Sequence, residues 1–383
     1  MKLNQSLLAV TLGLSLTSFC NAGDVFMSGS TAMRGVVYSA LTNAGTVFTT
    51  APSTTLFNGG GGSANYMAFQ GTLVGGSGTT TIYCHWSGSE AGILDVCSNT
   101  VVTETFIDST LLDGTDHVSA LPGTLQNKPV DLAMGDNDQT YSRTRKPTLT
   151  KKAEVGIITF EWVRNPGLWT GTNVTDSQIR QAFRGFSPRA VFSGNAADVN
   201  DFVYVSGRNN QSGTRVNALG TSGYGIFTPV NQVEMDASGV MQLLPSGDYA
   251  GDDGFDSGGT LAGTLGADTT TQPDLWNGTT GYSGISYLGI SDATTAISHG
   301  AVPLSLNGVP FSSAAVIEGK YNFWGNEFIF AANNVAAGSE ADKAFTNLAA
   351  TTGINAFCDG IKAIKLTDMH STRTGPTADP AHN

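Results

Sequence analysis

The chain has 383 residues, with 19 lysines and arginines against 31 aspartates and glutamates, so its formal net charge at pH 7 is −12. Hydrophobic residues make up 40% of the chain, enough for a sizeable core, whereas charged residues make up only 13% and glycine occurs 48 times. An acidic chain with so few basic side chains is a poor binder of nucleic acid or of an anionic membrane, because either partner requires a basic surface. The composition is typical of an exported globular protein with many polar turns.

The first 22 residues have the pattern of a signal peptide. Lys2 supplies the positive start, Leu7 to Leu16 form an apolar run too short to span a bilayer, and small residues lead to a predicted cleavage site after Ala22. Cys20 would allow a lipid anchor, but Phe19 before it does not suit that processing. We therefore expect a soluble protein in the periplasm or outside the cell, without direct membrane insertion.

Short apolar runs beside glycine-rich turns alternate with helical patterns, which favours an α/β fold. Strands are predicted at residues 24–27, 81–86, 130–134, 154–163, 201–206 and 284–290. Helices are predicted at residues 31–41, 89–96 and 175–186, the last with a capping box of Thr175 and Gln178. The remaining predictions are a decorated loop or hairpin at 46–80, an irregular insertion at 238–283, an aromatic-rich strand or helix at 321–332, and a loose tail after Lys365.

Three cysteines follow the predicted cleavage site. Cys84 and Cys97 lie on either side of a predicted strand, turn and short helix, and an antiparallel return of that helix would bring them within bridging distance. Because an exported protein meets an oxidising compartment, we predict a Cys84–Cys97 disulfide and a buried thiol at Cys358. The five histidines are scattered and no Cys-x-x-Cys motif occurs, so we expect neither a metal nor a cofactor.

Four segments share one pattern: a strand ends, and glycine with hydroxyl or other polar residues then opens a helical pattern. A helix start offers free N–H groups and partial positive charge, and glycine lets the backbone approach a ligand closely. Several such starts meeting at one place would bind an oxyanion without much net charge, although each alone is also an ordinary helix cap. The segments are residues 28–32, 87–92, 133–136 and 208–214.

In order and spacing, these segments resemble the phosphate-binding protein of the phosphate ABC transporter, a periplasmic binding protein with two lobes. Gly29-Ser30-Thr31-Ala32-Met33 is similar to the family's G-[AS]-T-F-P turn, and Gly88 to Gly92 resembles its G-S-x-x-G turn. Asp131 to Asp136 resembles its D-[FL]-[GA]-x-[ST]-D segment, and Arg208 to Thr214 its R-x-[DE]-x-S-G-T element, the most specific of the four. The resemblance covers residues 24–330, with unmatched stretches at 45–80, 97–128 and 238–283.

The resemblance implies a set of phosphate ligands. Arg208 would pair with the anion in a fork. Asp136 would accept the proton of hydrogen phosphate and reject sulfate, which carries no such donor; alternatively, it caps a helix or pairs with Arg208. The remaining residues would donate through N–H groups and hydroxyls. The full set is Ser30, Thr31, Ala32, Ser89, Asp136, Arg208, Ser212, Gly213 and Thr214.

Several positions depart from the family pattern. Ala32 and Met33 stand where phenylalanine and proline are usual, so the wall of the pocket differs. Asn210 replaces the acidic residue that normally orients the arginine, which leaves Arg208 less firmly held. Gly135 replaces a hydroxyl residue before Asp136. These changes weaken the case for phosphate more than the case for an oxyanion.

The resemblance implies a two-lobe α/β periplasmic binding protein of type II, with mixed sheets, flanking helices and a hinge of two strands near 157–163 and 284–288. The lobe boundaries are then 23–158 for the first part of lobe 1, 159–287 for lobe 2, and 288–383 for the return to lobe 1 with the tail. Its function would be phosphate capture without catalysis, for an ABC permease in the inner membrane. A secreted or cell-surface structural or interaction protein on the same fold, and a secreted hydrolase, are the alternatives.

Overall fold

The computed structural model describes residues 21–98, 104–167, 169–185, 187–236, 238–244, 254–266, 271–279 and 281–382. The strands of these residues are β1 (Asn21–Gly29), β2 (Ser53–Phe57), β3 (Tyr66–Thr72), β4 (Thr79–His85), β5 (Glu104–Ile107), β6 (Asp116–His117), β7 (Leu125–Lys128), β8 (Leu132–Gly135), β9 (Lys151–Arg164), β10 (Asn173–Val174), β11 (Ser187–Pro188), β12 (Phe202–Val205), β13 (Val233–Met235), β14 (Met241–Leu243), β15 (Ser283–Gly289), β16 (Val302–Leu306), β17 (Trp324–Ala331), β18 (Ala363–Ile364), β19 (Ser371–Thr372) and β20 (Ala381–His382). The α-helices are α1 (Arg34–Thr42), α2 (Ser89–Ser98), α3 (Asp176–Phe183), α4 (Ala190–Ser193), α5 (Gly213–Thr221), α6 (Gly258–Thr264), α7 (Ile290–Ser298), α8 (Ser313–Ile317) and α9 (Glu340–Ala349).

One long mixed sheet runs through the molecule in the order β11-β12-β15-β9-β17-β8-β1-β4-β3-β2-β6. Strand β9 joins its two halves, because residues 151–159 pair with β17 whereas residues 160–164 pair with β15. We call the strands from β17 to β6 the first sheet half, and β10, β11, β12, β15 and β16 the second sheet half. Helices pack against the sheet, which confirms the predicted α/β class.

Parallel pairing determines where the polar turns meet. In the first sheet half, β1 lies between β4 and β8 and is parallel to both, so all three strands end at the same edge. In the second half, β12 and β15 are also parallel. The carboxyl edges of parallel strands are where α/β proteins place their ligands, and the segments singled out in the sequence follow β1, β4, β8 and β12.

The predicted strands and helices are all present among the described residues. The capping box of Thr175 and Gln178 forms at the start of α3, while Phe186, at the predicted end of that helix, lies outside the described residues. The stretch 46–80 contains the β2–β3 hairpin, and 321–332 holds strand β17. In the predicted irregular insertion, the described residues include β14 and α6.

The predicted Cys84–Cys97 disulfide is wrong: Cys84, Cys97 and Cys358 are all free and buried. Cys84 faces the larger hydrophobic cluster, whereas Cys97, on α2, belongs to the cluster on the other side of the first sheet half. Neighbouring residues of a strand point to opposite faces, and Tyr83, next to Cys84, does face the cluster of Cys97. The sheet therefore separates the two thiols, and the Cys97 Sγ instead lies 3.2 Å from the Gln139 Nε2.

The tail after Lys365, predicted to be loose, contacts the rest of the molecule at several points. Strands β19 and β20 pair with each other. The Arg373 guanidinium lies 4.1 Å from the centre of the Trp324 ring and donates to the Asn322 carbonyl at 2.9 Å. Pro376 touches Gly220 of α5, where an added Cβ would come within 2.7 Å of the proline Cβ. Tertiary contacts thus hold a segment whose polar sequence carries no sign of them.

The lobe boundaries remain a prediction, but the strand pairing bears on one of them. Residues 302–306 pair with β10 and β9 in the second sheet half, later in the chain than the predicted return at residue 288. Among the described residues, no helix is both long and apolar enough to span a membrane.

Candidate functional site

Two helix starts, one from each sheet half, touch at a single buried point. Helix α2 begins at Ser89 and α5 begins at Gly213. The Ser89 hydroxyl accepts a hydrogen bond from the Asp136 amide at 3.2 Å, and the Glu90 amide donates to the Gln211 carbonyl at 2.9 Å. A Cβ on Gly213 would lie 2.5 Å from the Ser89 Oγ and 2.8 Å from the Asp136 Cβ, so only glycine fits there. The close approach explains why this turn carries glycine.

Asp136 is the centre of this contact and is only 2% exposed. It leaves the sheet at the end of β8, next to the end of β1 and one strand away from the end of β4. Its Oδ1 accepts a hydrogen bond from the Ser30 hydroxyl at 2.5 Å, and its Oδ2 accepts a long one from the Thr214 hydroxyl at 3.5 Å. Asp136 therefore joins residues of both sheet halves, and neither predicted alternative, a helix cap or an ion pair with Arg208, describes its hydrogen bonds. We call Ser30, Ser89, Asp136, Gly213 and Thr214 the Asp136 cluster.

A second carboxyl group faces the Asp136 cluster from strand β17. Glu327 is completely buried. Burial, reinforced by the charge of Asp136, raises the pKa of Glu327 well above its usual range. Burial and the neighbouring carboxylate both disfavour the charged form of Glu327, which is the physical cause of this shift.

Arg208 follows β12 and is 2% exposed. Its Nε donates to the Phe255 carbonyl at 3.0 Å and its Nη2 to the Asp256 carbonyl at 2.7 Å. Two backbone carbonyls therefore orient the guanidinium, where the family pattern uses an acidic side chain at the position of Asn210. Burial lowers the pKa of Arg208, and the charges of Asp292 and Asp136 oppose that shift.

Arg34 and Asp292 complete the charged surroundings of Arg208, and the sequence reasoning missed both. Arg34 is the first residue of α1, and its Nη1 donates to the Asn65 Oδ1 at 3.2 Å. Burial lowers the pKa of Arg34, and Asp292 raises it, while the charge of Arg34 contributes to lowering the pKa of Arg208. Their positions in the sequence could have indicated both residues, because Arg34 follows the first polar turn and Asp292 follows strand β15.

A cavity of about 570 Å³ opens between the starts of α1 and α7. It lies beside the predicted binding residues Thr31 and Ala32, which form part of its wall. Charged and aromatic side chains form much of the remaining lining, among them Arg34, Tyr38, Asp292, Phe357, Asp359 and Lys362.

The structure thus distributes the nine predicted ligand residues over two places. Five of them form the Asp136 cluster, and Ser212 is the N-cap of α5, its hydroxyl accepting from the Arg215 amide at 3.3 Å. Thr31 and Ala32 line the cavity, and Arg208 interacts electrostatically with both Asp136 and Asp292. Their role as ligand residues stays a prediction. No cluster of three or more metal-ligating side chains occurs within the part of the chain that the structure describes.

Solved structures share this fold. The chain is similar to a phosphate ABC transporter substrate-binding protein from Clostridium perfringens, solved with bound phosphate, at 13% identity and a TM-score of 0.52, over 90% of this chain and 99% of that one. It also matches a human phosphate-binding apolipoprotein (13% identity, TM-score 0.48, 90% and 91% covered) and an ABC-type phosphate transport receptor from Vibrio cholerae (11%, 0.42, 82% and 88%). Neither a protein-family model nor a curated protein matches the chain.

The similarity to the Clostridium perfringens protein defines the class of protein by its fold. The chain has the two-lobe α/β fold of phosphate-binding substrate-binding proteins, as the comparison with the Clostridium perfringens protein shows over nearly the whole length of both chains. The resemblance predicted from four short segments of sequence is therefore confirmed at the level of the fold.

Proposed function

We propose that this protein captures an oxyanion, with inorganic phosphate as the first candidate, between its two sheet halves. One observation carries the proposal: hydroxyl groups and helix starts from both halves meet at a buried carboxylate, in the Asp136 cluster. Free N–H groups at helix starts bind anions through direct hydrogen bonds and through the helix dipole. The fold shared with a protein solved with bound phosphate supports the same ligand.

Each residue has a distinct role in this proposal. The backbone at the start of α5, together with the hydroxyls of Ser89 and Thr214, donates hydrogen bonds to the anion. Ser30, Thr31 and Ala32 do so from the turn that precedes α1. Arg208 contributes the positive charge, and Asp136 accepts the proton of hydrogen phosphate, which sulfate lacks.

Binding requires the two sheet halves to move. Gly213 and Ser89 are in contact, so a phosphate ion does not fit between them in the described conformation. We infer that the halves separate to admit the anion, and that the hydroxyls of Ser30 and Thr214 then turn from Asp136 towards it. Closure around the ligand would follow, since a ligand that contacts both halves favours the conformation in which both contacts exist.

The predicted signal peptide and the fold support a cellular role in uptake. The signal peptide of residues 1–22 would send the chain to the periplasm or out of the cell. A binding protein of this fold would there deliver its anion to an ABC permease in the inner membrane. Capture and release need no catalytic group, so the proposal assigns no enzymatic step to the Asp136 cluster.

Calorimetric titration with phosphate and with sulfate tests this proposal. The protein is first unfolded and refolded so that no trapped ligand remains, and the wild type is compared with Asp136→Asn and Arg208→Ala. We expect micromolar or tighter binding of phosphate, no binding of sulfate, loss of binding in Arg208→Ala, and weaker discrimination in Asp136→Asn. Absence of phosphate binding by the correctly folded wild type would refute the proposal.

A second function is favoured by the existing hydrogen bonds. Both carboxylate oxygens of Asp136 already accept from hydroxyls, and the Arg208 guanidinium already donates to two backbone carbonyls. Such a satisfied network would also fasten the sheet halves together in a secreted structural or interaction protein. In that case neither anion binds, and Asp136→Asn lowers the free energy of unfolding without any effect on a ligand.

A further inference from the structure

The cavity between α1 and α7 is far larger than an inorganic anion requires. Its volume of about 570 Å³ falls within the range of about 300–1,000 Å³ that is usual for organic ligands. The cavity also adjoins the proposed anion site, because Thr31 and Ala32 belong to both. An anion held by the start of α1 would therefore have open space on its cavity side.

Arginine side chains at this end of the cavity favour an anion, and the open space beside them admits an anion that carries substituents. Arg34 is the first residue of α1, where the helix dipole disfavours a positive charge. The charges of Arg34 and Arg208 repel each other, while Asp292 attracts both guanidinium groups and Asp136 attracts Arg208. A bound dianion would convert this repulsion into attraction. Lys362 adds a further cation at the wall, and Asp359 adds a further carboxylate.

The rest of the lining suits a compact organic group with several hydroxyls. Ser39, Ser63 and Thr295 offer hydroxyl groups, and the Asp292 carboxylate can accept hydrogen bonds from a ligand. Tyr38 and Phe357 are half-buried aromatic residues against which a carbon skeleton can pack. A polyol carries hydroxyl groups on a short carbon skeleton. A cavity lined by hydroxyl groups, a carboxylate and aromatic side chains therefore complements it.

We infer that this cavity binds the organic part of a phosphate monoester of a small polyol, while the phosphate group occupies the start of α1 beside Arg34 and Arg208. This inference rests on the proposed function and specifies its ligand class. Inorganic phosphate then binds only the shared end of the site, and the ester binds more tightly because it also fills the cavity.

Calorimetry on the refolded full-length mature protein tests the inference, with inorganic phosphate, glycerol 3-phosphate, glucose 6-phosphate and unphosphorylated glucose as the probes. Thr295→Trp places a large side chain in the cavity. Thr294→Trp, on the neighbouring residue of the same helix but outside the lining, is the matched control. We expect at least one ester to bind ten-fold or more tightly than inorganic phosphate. Thr295→Trp should remove that gain and leave the affinity for inorganic phosphate unchanged. Thr294→Trp should change neither the affinity for the ester nor the affinity for inorganic phosphate.

The outcomes separate this inference from the proposed function. If inorganic phosphate binds at least as tightly as both esters, or if Thr295→Trp leaves ester binding unchanged, the cavity does not hold the organic part and the inference is overturned, while anion capture stands. If no phosphate compound binds to the folded protein, both proposals fail. Binding of glucose alone with the affinity of its phosphate would also overturn the inference, because the phosphate group would then contribute nothing.

Discussion

The Asp136 cluster and the cavity between α1 and α7 lie side by side but are built in opposite ways. In the cluster, buried hydroxyls and a carboxylate satisfy one another, and glycine is required because the two chain segments touch. Around the cavity, charged and hydroxyl side chains line open space and are only partly covered. The comparison teaches that most residues of a predicted binding motif can pack tightly together while the neighbouring cavity is lined mainly by residues outside the motif.

The largest expected effect concerns the buried carboxyl group under the cluster. The pKa of Glu327 is well above its ordinary value of 4.5, so the folded protein holds a proton that the unfolded chain releases above that pH. From this group alone, the free energy of unfolding falls by about 1.4 kcal/mol for each pH unit above 4.5, until the folded-state pKa is reached. We expect Glu327→Gln to remove that fall, so that the variant gains stability relative to the wild type as the pH rises above 4.5 towards the folded-state pKa of Glu327.

Urea unfolding at several pH values across this range measures the difference. Glu318→Gln is the control, because His370 holds the pKa of Glu318 below its usual range, and its replacement should not reproduce the effect. A constant difference in stability between Glu327→Gln and the wild type across this pH range would show that Glu327 is ionised in the folded protein, and the account of the cluster would be wrong.

The second prediction concerns the contact between the sheet halves. Gly213→Ala introduces a Cβ that would lie 2.5 Å from the Ser89 Oγ, so we expect the free energy of unfolding to fall by about 1–3 kcal/mol, as overpacking typically costs. Gly263→Ala is the control, since nothing lies within 4 Å of an added Cβ at that position of α6. Chemical denaturation of both variants makes the measurement, and equal stabilities would mean that Ser89 and Gly213 are not in contact.

The smallest expected effect on stability is at the cavity. Arg34 is half-buried and donates a hydrogen bond to Asn65. We therefore expect Arg34→Gln to change the free energy of unfolding by less than about 1 kcal/mol. The same substitution should weaken the binding of a phosphate ester in calorimetry by ten-fold or more, because it removes one of the two guanidinium groups near the anion. A large loss of stability would place Arg34 with the Asp136 cluster as a structural residue.

The sequence could predict those features that depend on neighbouring residues. The capping box of Thr175 and Gln178 needs only one turn of helix, and the strands at 154–163 and 201–206 needed only their apolar runs. The polar turns after β1, β4, β8 and β12 could also be recognised locally. Their meeting at one edge could be expected, because parallel strands of a sheet end together.

Only the tertiary structure decided which distant groups meet. The faces of the sheet separated Cys84 from Cys97, a distinction that a shift of one residue along a strand would have reversed. Packing against Trp324 and Gly220 ordered a tail that looked loose in sequence.

The charged groups near the cavity depend on tertiary structure in the same way. Arg34, Arg208 and Asp292 come from three separate strand–helix junctions, so their electrostatic interaction depends on how the two sheet halves are placed. Local sequence determines caps and periodicity, whereas charge and burial depend on every neighbour that folding brings within a few ångströms.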